Sequence, residues 1–245
     1  MLAKSTLQPE QIMEASTFLG ELMGTFVLIL LGQGVVANVL LTGTKSSDSG
    51  WIGITTAWGL AVTMGIFVAQ KFGSIDAHLN PAFTIAFAYD SGNWSQAATF
   101  ILAQFIGAFL GATVNWLFYY PHWVVTEDKG AKLAIFATGP AIRHTWSNFF
   151  GEAVGTFILV IGAISIYAQT DSGLKPFLVG ALVWVIGLAL GGTTGYAINP
   201  ARDLAPRIAH TFLPIAGKGD SDWKYAWVPV LGPIVGGLAA TLFML

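Results

Sequence analysis

Six stretches of this chain are long, apolar and almost uncharged, and that feature removes most of the folds open to 245 residues. They cover 15–41, 51–70, 94–121, 146–170, 176–201 and 224–245. Glu21 is the one charge inside the first and Glu152 the one inside the fourth; the sixth carries none after Lys224. A helix of about 20 mostly apolar residues crosses the hydrocarbon core of a bilayer. Charged residues make up 10% of the chain, against about 25% in soluble domains, so an ordinary water-facing surface cannot be built. Clusters of Pro, Gly and charge separate the segments, as in TGTKSSDSG, YYPHWVVTEDKGAK and QTDSGLK. The sequence therefore predicts an all-α membrane protein with six transmembrane helices.

Several function classes drop out. The net charge of −2 suggests no nucleic-acid partner. With no cysteine there is no disulfide framework, thiolate metal site or cysteine nucleophile. His78, His122, His144 and His210 are scattered without zinc spacing. No catalytic residue, metal or cofactor is expected. The polar start, MLAKSTLQPEQIMEAS, does not resemble a signal peptide. Lys45, Lys129, Lys132, Arg143 and Lys218 fall in odd-numbered loops, and Lys4, Lys71 and Lys175 on the other side. This is too even a split to fix orientation by charge.

Two shorter pieces remain, 81–89 (PAFTIAFAY) and 200–210 (PARDLAPRIAH). Each is about 15 Å as helix, half a bilayer. Such re-entrant pieces are tolerated where the backbone lines protein or a water-filled cavity. The chain also repeats itself. FLGELMGTFVL from Phe18 matches FFGEAVGTFIL from Phe149, and HLNPAFTIA from His78 matches AINPARDLA from Ala197. AQFIGAFLGA from Ala103 loosely matches VPVLGPIVGG from Val228. The repeats, about 15–120 and 146–245 of one channel domain spanning 1–245, hold three spans each, so the second must be inverted. Inverted repeats are a transport architecture with the site at the midplane.

Asn is a strong N-cap and Pro is favoured at the first helical position. Asn80-Pro81-Ala82 and Asn199-Pro200-Ala201 are thus two helix starts facing each other near mid-membrane. Each Asn oxygen is expected to cap its own helix and leave its NH₂ free to donate into a pore. Both helix dipoles aim their positive ends there, which disfavours cations and protons. Glu21 and Glu152 are expected as buried acceptors for N–H groups of the re-entrant loops, with a proton relay as the rival role. Glycine pairs spaced by four (Gly20/Gly24, Gly107/Gly111, Gly151/Gly155, Gly232/Gly236) suit close helix crossing.

Taken together, Glu21, Glu152, HLNPA (His78 to Ala82) and NPARD (Asn199 to Asp203) resemble the major intrinsic protein family, the aquaporins and aquaglyceroporins. The likeness runs from Phe18 to the end. It implies six helices plus two half-helices, one pore per protomer, and a homotetramer in membrane lipid. The family's narrowest point, carried onto this sequence, falls on Trp58, Gly187, Tyr196 and Arg202. Trp58 in AWGLAVTMG, Asp203 after the Arg, Pro206-Arg207 and Pro229-Val230 resemble the glycerol facilitator branch. The chemistry agrees: two aromatic rings suit the carbon edge of a polyol, the donor fork of Arg202 suits its hydroxyls, and Gly187 leaves room. Asp76, Ala77, His78, Leu79, Thr194, Gly195, Ala197 and Ile198 are the expected pore wall and vestibule, and Asp203 is expected to brace Arg207 at i,i+4.

Two departures stand out. Tyr196 replaces the commoner Phe, adding a hydroxyl expected to narrow or polarise the filter. Asp76 replaces a usual Gly and is either a vestibule carboxylate able to gate with pH or a solvated loop charge. The sequence thus points to a passive channel for glycerol and other small uncharged solutes (water, dihydroxyacetone, urea, hydrogen peroxide, undissociated lactic acid). It would lie in a plasma membrane with its N-terminus cytoplasmic. A water-selective pore is the near alternative. A secondary transporter, a membrane enzyme and a junction protein are remoter ones.

Overall fold

The computed structural model describes residues 9–170 and 172–244, with side chains from residue 17 onward; Lys4 and Leu245 lie outside them. The described residues form ten helices. They are α1 (Pro9–Leu40), α2 (Gly50–Lys71), α3 (Pro81–Ser91), α4 (Ala97–Phe118), α5 (Tyr120–Val125), α6 (Lys129–Phe136), α7 (Thr145–Gln169), α8 (Lys175–Leu190), α9 (Pro200–Phe212) and α10 (Val228–Thr241). Four stretches are long and apolar enough to cross a membrane: Thr17–Leu40 of α1, and all of α2, α4 and α7. The other two apolar helices, α8 and α10, have 16 and 14 residues, about 24 and 21 Å.

Two boundaries differ from the sequence reading. The fifth segment was drawn to residue 201, but α8 stops at Leu190 and 191–199 is not helical. Ala197 and Ile198 look like helix by hydropathy, yet their N–H groups are taken by a side chain elsewhere, Glu152. The stretch after Tyr119, read as a connecting cluster, holds the short helices α5 and α6. Asp128 caps α6 by accepting from Gly130 N (2.7 Å) and Ala131 N (3.0 Å).

The order of two apolar helices, a half-helix that starts at Asn-Pro-Ala and a further apolar helix occurs twice, in α1–α4 and α7–α10, with α8 and α10 the shorter members. Within each half the first helix packs on the second and the last. Across halves, α2 lies on α8, while each half-helix packs on the other half's last helix: α3 on α10, α9 on α4. These crossings are tight. A Cβ at Gly107 on α4 would collide with the carbonyl of Leu22, and one at Gly236 on α10 with that of Ala153. Backbones that close require small residues, because helices in lipid gain nothing by hiding apolar surface from each other.

Candidate functional site

The two half-helices begin alike. Asn80 Oδ1 accepts from Ala82 N at 2.9 Å, and Asn199 Oδ1 accepts from Ala201 N (3.0 Å) and Arg202 N (3.2 Å), with a proline at the first helical position of each. The amide nitrogens are less free than the sequence reading had them. Asn80 Nδ2 donates to Ile198 O and Asn199 Nδ2 to Leu79 O, both at 2.8 Å. An amide has two hydrogens, so each Asn stitches the opposite loop with one and keeps one. Pro81, Ala82, Pro200 and Ala201 are buried where the half-helices start.

Reaching those starts forces unusual backbone. Ala77, Leu79, Tyr196 and Ile198 all have positive φ, between 38° and 51°, so in each loop the residues one and three before the Asn are left-handed. Such non-glycine residues cost about 1–3 kcal/mol each and persist only where surroundings over-determine them. Two buried acids do so. Glu21 Oε1 accepts from His78 N (2.8 Å) and Ser74 Oγ (2.7 Å), and Oε2 from Leu79 N and Gln104 Nε2 (both 2.8 Å). Glu152 Oε1 accepts from Ala197 N (3.0 Å) and Oε2 from Ile198 N (2.8 Å). Loop N–H groups thus point to the acids. The carbonyls of Ala77, His78, Tyr196 and Ala197 find no donor among the described residues.

A cavity of about 650 Å³ runs past these loops. Its wall includes Trp58, Tyr196 and Arg202 at one end, Asn80 and Asn199 with Leu79, Ala197 and Ile198 in the middle, and Asp76, Ala77, His78 and Asn93 towards the other. Gly187, expected at the narrowest point, and Thr194 and Gly195, expected on the pore wall, do not line it. Thr194 is buried with Oγ1 accepting from Tyr196 N, and Gly195 backs onto Thr138. Asp76 is solvent-exposed at the mouth.

At the Trp58 end, the Arg202 guanidinium carbon sits 4.2 Å over the Trp58 ring, a cation–π distance. Arg202 Nη1 is buried without a hydrogen-bond partner among the described residues. Its neighbour Asp203 is occupied elsewhere: it holds Arg207 Nε at 2.9 Å and Thr138 N and Oγ1 at 2.7 Å. Tyr196 lies against Gly187, where a Cβ would come 2.7 Å from Cζ and 2.9 Å from the hydroxyl. Trp51 meets that ring edge-on at 5.8 Å and donates its Nε1 to Gly187 O at 3.1 Å. The Tyr196 hydroxyl is sealed from solvent and has no hydrogen-bond partner among the described residues. Since α8 has no side chain at Gly187, the hydroxyl fills that space in the wall.

Sequence reasoning missed the residues that support this wall. Thr138 and Trp51 carry no motif, being positioned by loop packing distant in sequence. Gln104 and Thr84, on α4 and α3, join Glu21 to the loop; a lone buried Gln in an apolar segment was the available signal.

The same elements occur in known proteins. Residues 9–244 match the family described as Major intrinsic protein. A probable glycerol uptake facilitator protein from Thermotoga maritima is 53% identical over 93% of this chain and 98% of its own length. Glycerol uptake facilitator protein 3 from Lactiplantibacillus plantarum is 55% identical over 94% of this chain and 96% of its own. The X-ray structure of the aquaglyceroporin from Plasmodium falciparum superposes with a TM-score of 0.80, at 30% identity, over 94% of this chain and 95% of that one. With both half-helices and both acid-bearing helices inside that match, this integral membrane chain belongs to the major intrinsic protein family.

Proposed function

We propose that the protein is a passive channel for glycerol and similar small uncharged solutes, and that it excludes ions and protons. The observation that carries this reading is the composition of the Trp58 end of the cavity. Trp58 and Tyr196 present ring faces and edges, Gly187 lies behind the Tyr196 ring with no side chain to push it forward, and Arg202 lines the cavity with its guanidinium. A polyol matches that asymmetry, its carbon edge on the rings and its hydroxyls on the guanidinium. The names of the relatives, uptake facilitators for glycerol, support the same solute. Exclusion of cations follows from Arg202 and from two helix N-termini meeting at the Asn pair.

The roles follow from this. Trp58, Gly187, Tyr196 and Arg202 form the selectivity filter, Asn80 and Asn199 the donor pair at the pore centre, and Glu21, Glu152 and Asp203 the support. The protein works as a homotetramer in a plasma membrane, with its N-terminus cytoplasmic and no enzymatic step. The test is stopped-flow light scattering of proteoliposomes under an inward glycerol gradient. Rapid reswelling is expected, with no dissipation of a proton gradient. Arg202→Ala should lose selectivity between glycerol and urea, and Trp58→Ala should slow glycerol. Water flux without glycerol entry would replace this reading with a water-selective pore, and accumulation against a gradient with a transporter.

A further inference from the structure

His78 lines the cavity between the Asn80–Asn199 pair and the exposed mouth at Asp76 and Asn93. Its ring sits among three phenylalanines, with centroids 4.6 Å from Phe100, 5.4 Å from Phe83 and 5.6 Å from Phe87. Its Nδ1 is 3.1 Å from Thr84 Oγ1. Its Nε2 has no hydrogen-bond partner among the described residues and, unlike Nε2 of His210, is not sealed from solvent.

Which ring nitrogen carries the proton follows from counting hydrogens around Thr84. A hydroxyl has one proton and two lone pairs. Thr84 Oγ1 has three polar neighbours, all at 3.1 Å: Asn80 O, Gln104 Nε2 and His78 Nδ1. Gln104 must turn its NH₂ inward, because the same nitrogen meets Glu21 Oε2, which also accepts from Leu79 N. Its second hydrogen then goes to Thr84. Both remaining contacts become bonds in one arrangement alone: the hydroxyl proton on Asn80 O and the Nδ1 proton on the hydroxyl oxygen. The reverse, with the hydroxyl donating to Nδ1, forfeits the bond to Asn80 O.

We propose that the Glu21–Gln104–Thr84 chain locks His78 as the neutral Nδ1–H tautomer, so that its Nε2 lone pair accepts hydrogen bonds from O–H groups of the passing solute. This deepens the glycerol reading and rests on it. Beside the loop carbonyls, the other polar side chains along this stretch are chiefly donors: Asn199 Oδ1 accepts two helix N–H groups and Asn80 Oδ1 one, and Arg202 has no acceptor. A hydroxyl held by those donors still has its own proton to place. His78 Nε2 is the side-chain acceptor that takes it on the inner side of the Asn pair. The solutes favoured are neutral molecules bearing O–H donors.

The test uses the full chain in proteoliposomes, labelled with 15N-histidine. Solid-state NMR at neutral pH separates protonated from bare ring nitrogens, and His78 is identified by the resonances lost in His78→Phe. The expected spectrum has Nδ1 protonated and Nε2 bare. Thr84→Val keeps the shape but removes the Nδ1 acceptor, so the Nε2–H form should grow and glycerol permeability should fall about fivefold, the loss of one neutral hydrogen bond. His78→Phe keeps the aromatic box and should reduce glycerol permeability about as much, with water affected less. A protonated Nε2 in the wild type, or glycerol flux unchanged in folded His78→Phe, overturns the proposal. Should Thr84→Val not fold, the wild-type spectrum and His78→Phe decide it. A wild type that passes no glycerol sinks the channel reading instead, and the tautomer then stands or falls on its spectrum.

Discussion

Gly187→Ala is the sharpest perturbation of the Trp58 end of the cavity. An added methyl would lie 2.7 Å from Tyr196 Cζ, 2.9 Å from its hydroxyl and 3.0 Å from Thr55 Cγ2. Carbon atoms rest at about 3.5–4.0 Å, so the ring must retreat by about 1 Å. It has few directions to take. Trp51 stands edge-on beside it, and the backbone of the next two residues is tied to Glu152. The open side is the cavity that Tyr196 lines. Overpacking of this kind costs about 1–3 kcal/mol. If that cost appears as a barrier to a solute needing the full opening, glycerol permeability falls about tenfold or more. Water, being smaller, should lose less. The assay is paired stopped-flow measurement of glycerol and water flux, normalised to reconstituted protein. Tyr196→Ala provides the control: with the ring gone, adding Gly187→Ala should change glycerol flux no further. Glycerol flux within about twofold of wild type in Gly187→Ala would refute the argument that Tyr196 fills the space Gly187 leaves.

Tyr196→Phe removes a buried hydroxyl that has no partner among the described residues; thermal unfolding in detergent should show stability unchanged or raised by about 1 kcal/mol, with glycerol flux unaltered. Glu152→Gln turns an acceptor-only group into one that faces a backbone N–H with an NH₂ donor, which should cost about 1.5–3 kcal/mol and depress flux in the same preparation. Glu21→Gln should cost more, since Glu21 holds four donors. Lys218 Nζ donates to the carbonyls of His210, Thr211 and Leu213 at the end of α9, at 2.5–2.7 Å; Lys218→Met should lower the unfolding midpoint by the equivalent of about 1–2 kcal/mol and leave the glycerol-to-water ratio alone.

What the sequence discloses here is what repeats or what is costly. Two Asn-Pro-Ala steps announce helix starts because capping is local: oxygen, proline ring and first N–H groups lie within four residues. Two carboxyl groups in apolar segments announce buried acceptors because lipid makes an unpaired acid expensive. The loops between them carry no such mark. Ala197 and Ile198 are apolar in sequence, yet their backbone leaves the helix because Glu152, far away in sequence, takes their N–H groups. The Asn amides give the same lesson: capping predicts where the oxygen goes, but the partner of the nitrogen is a carbonyl in the other repeat. Tyr196 is the sharpest case. A phenol at a proposed filter position suggests a polar group in the opening. The empty Cα face of Gly187 on α8 decides otherwise, since a ring held by a left-handed backbone can fill the gap in the wall and carry its hydroxyl out of reach of solvent. The polarity of this cavity wall is therefore set by where the backbone aims a side chain, and at Tyr196 that aim depends on a glycine nine positions earlier, on another element.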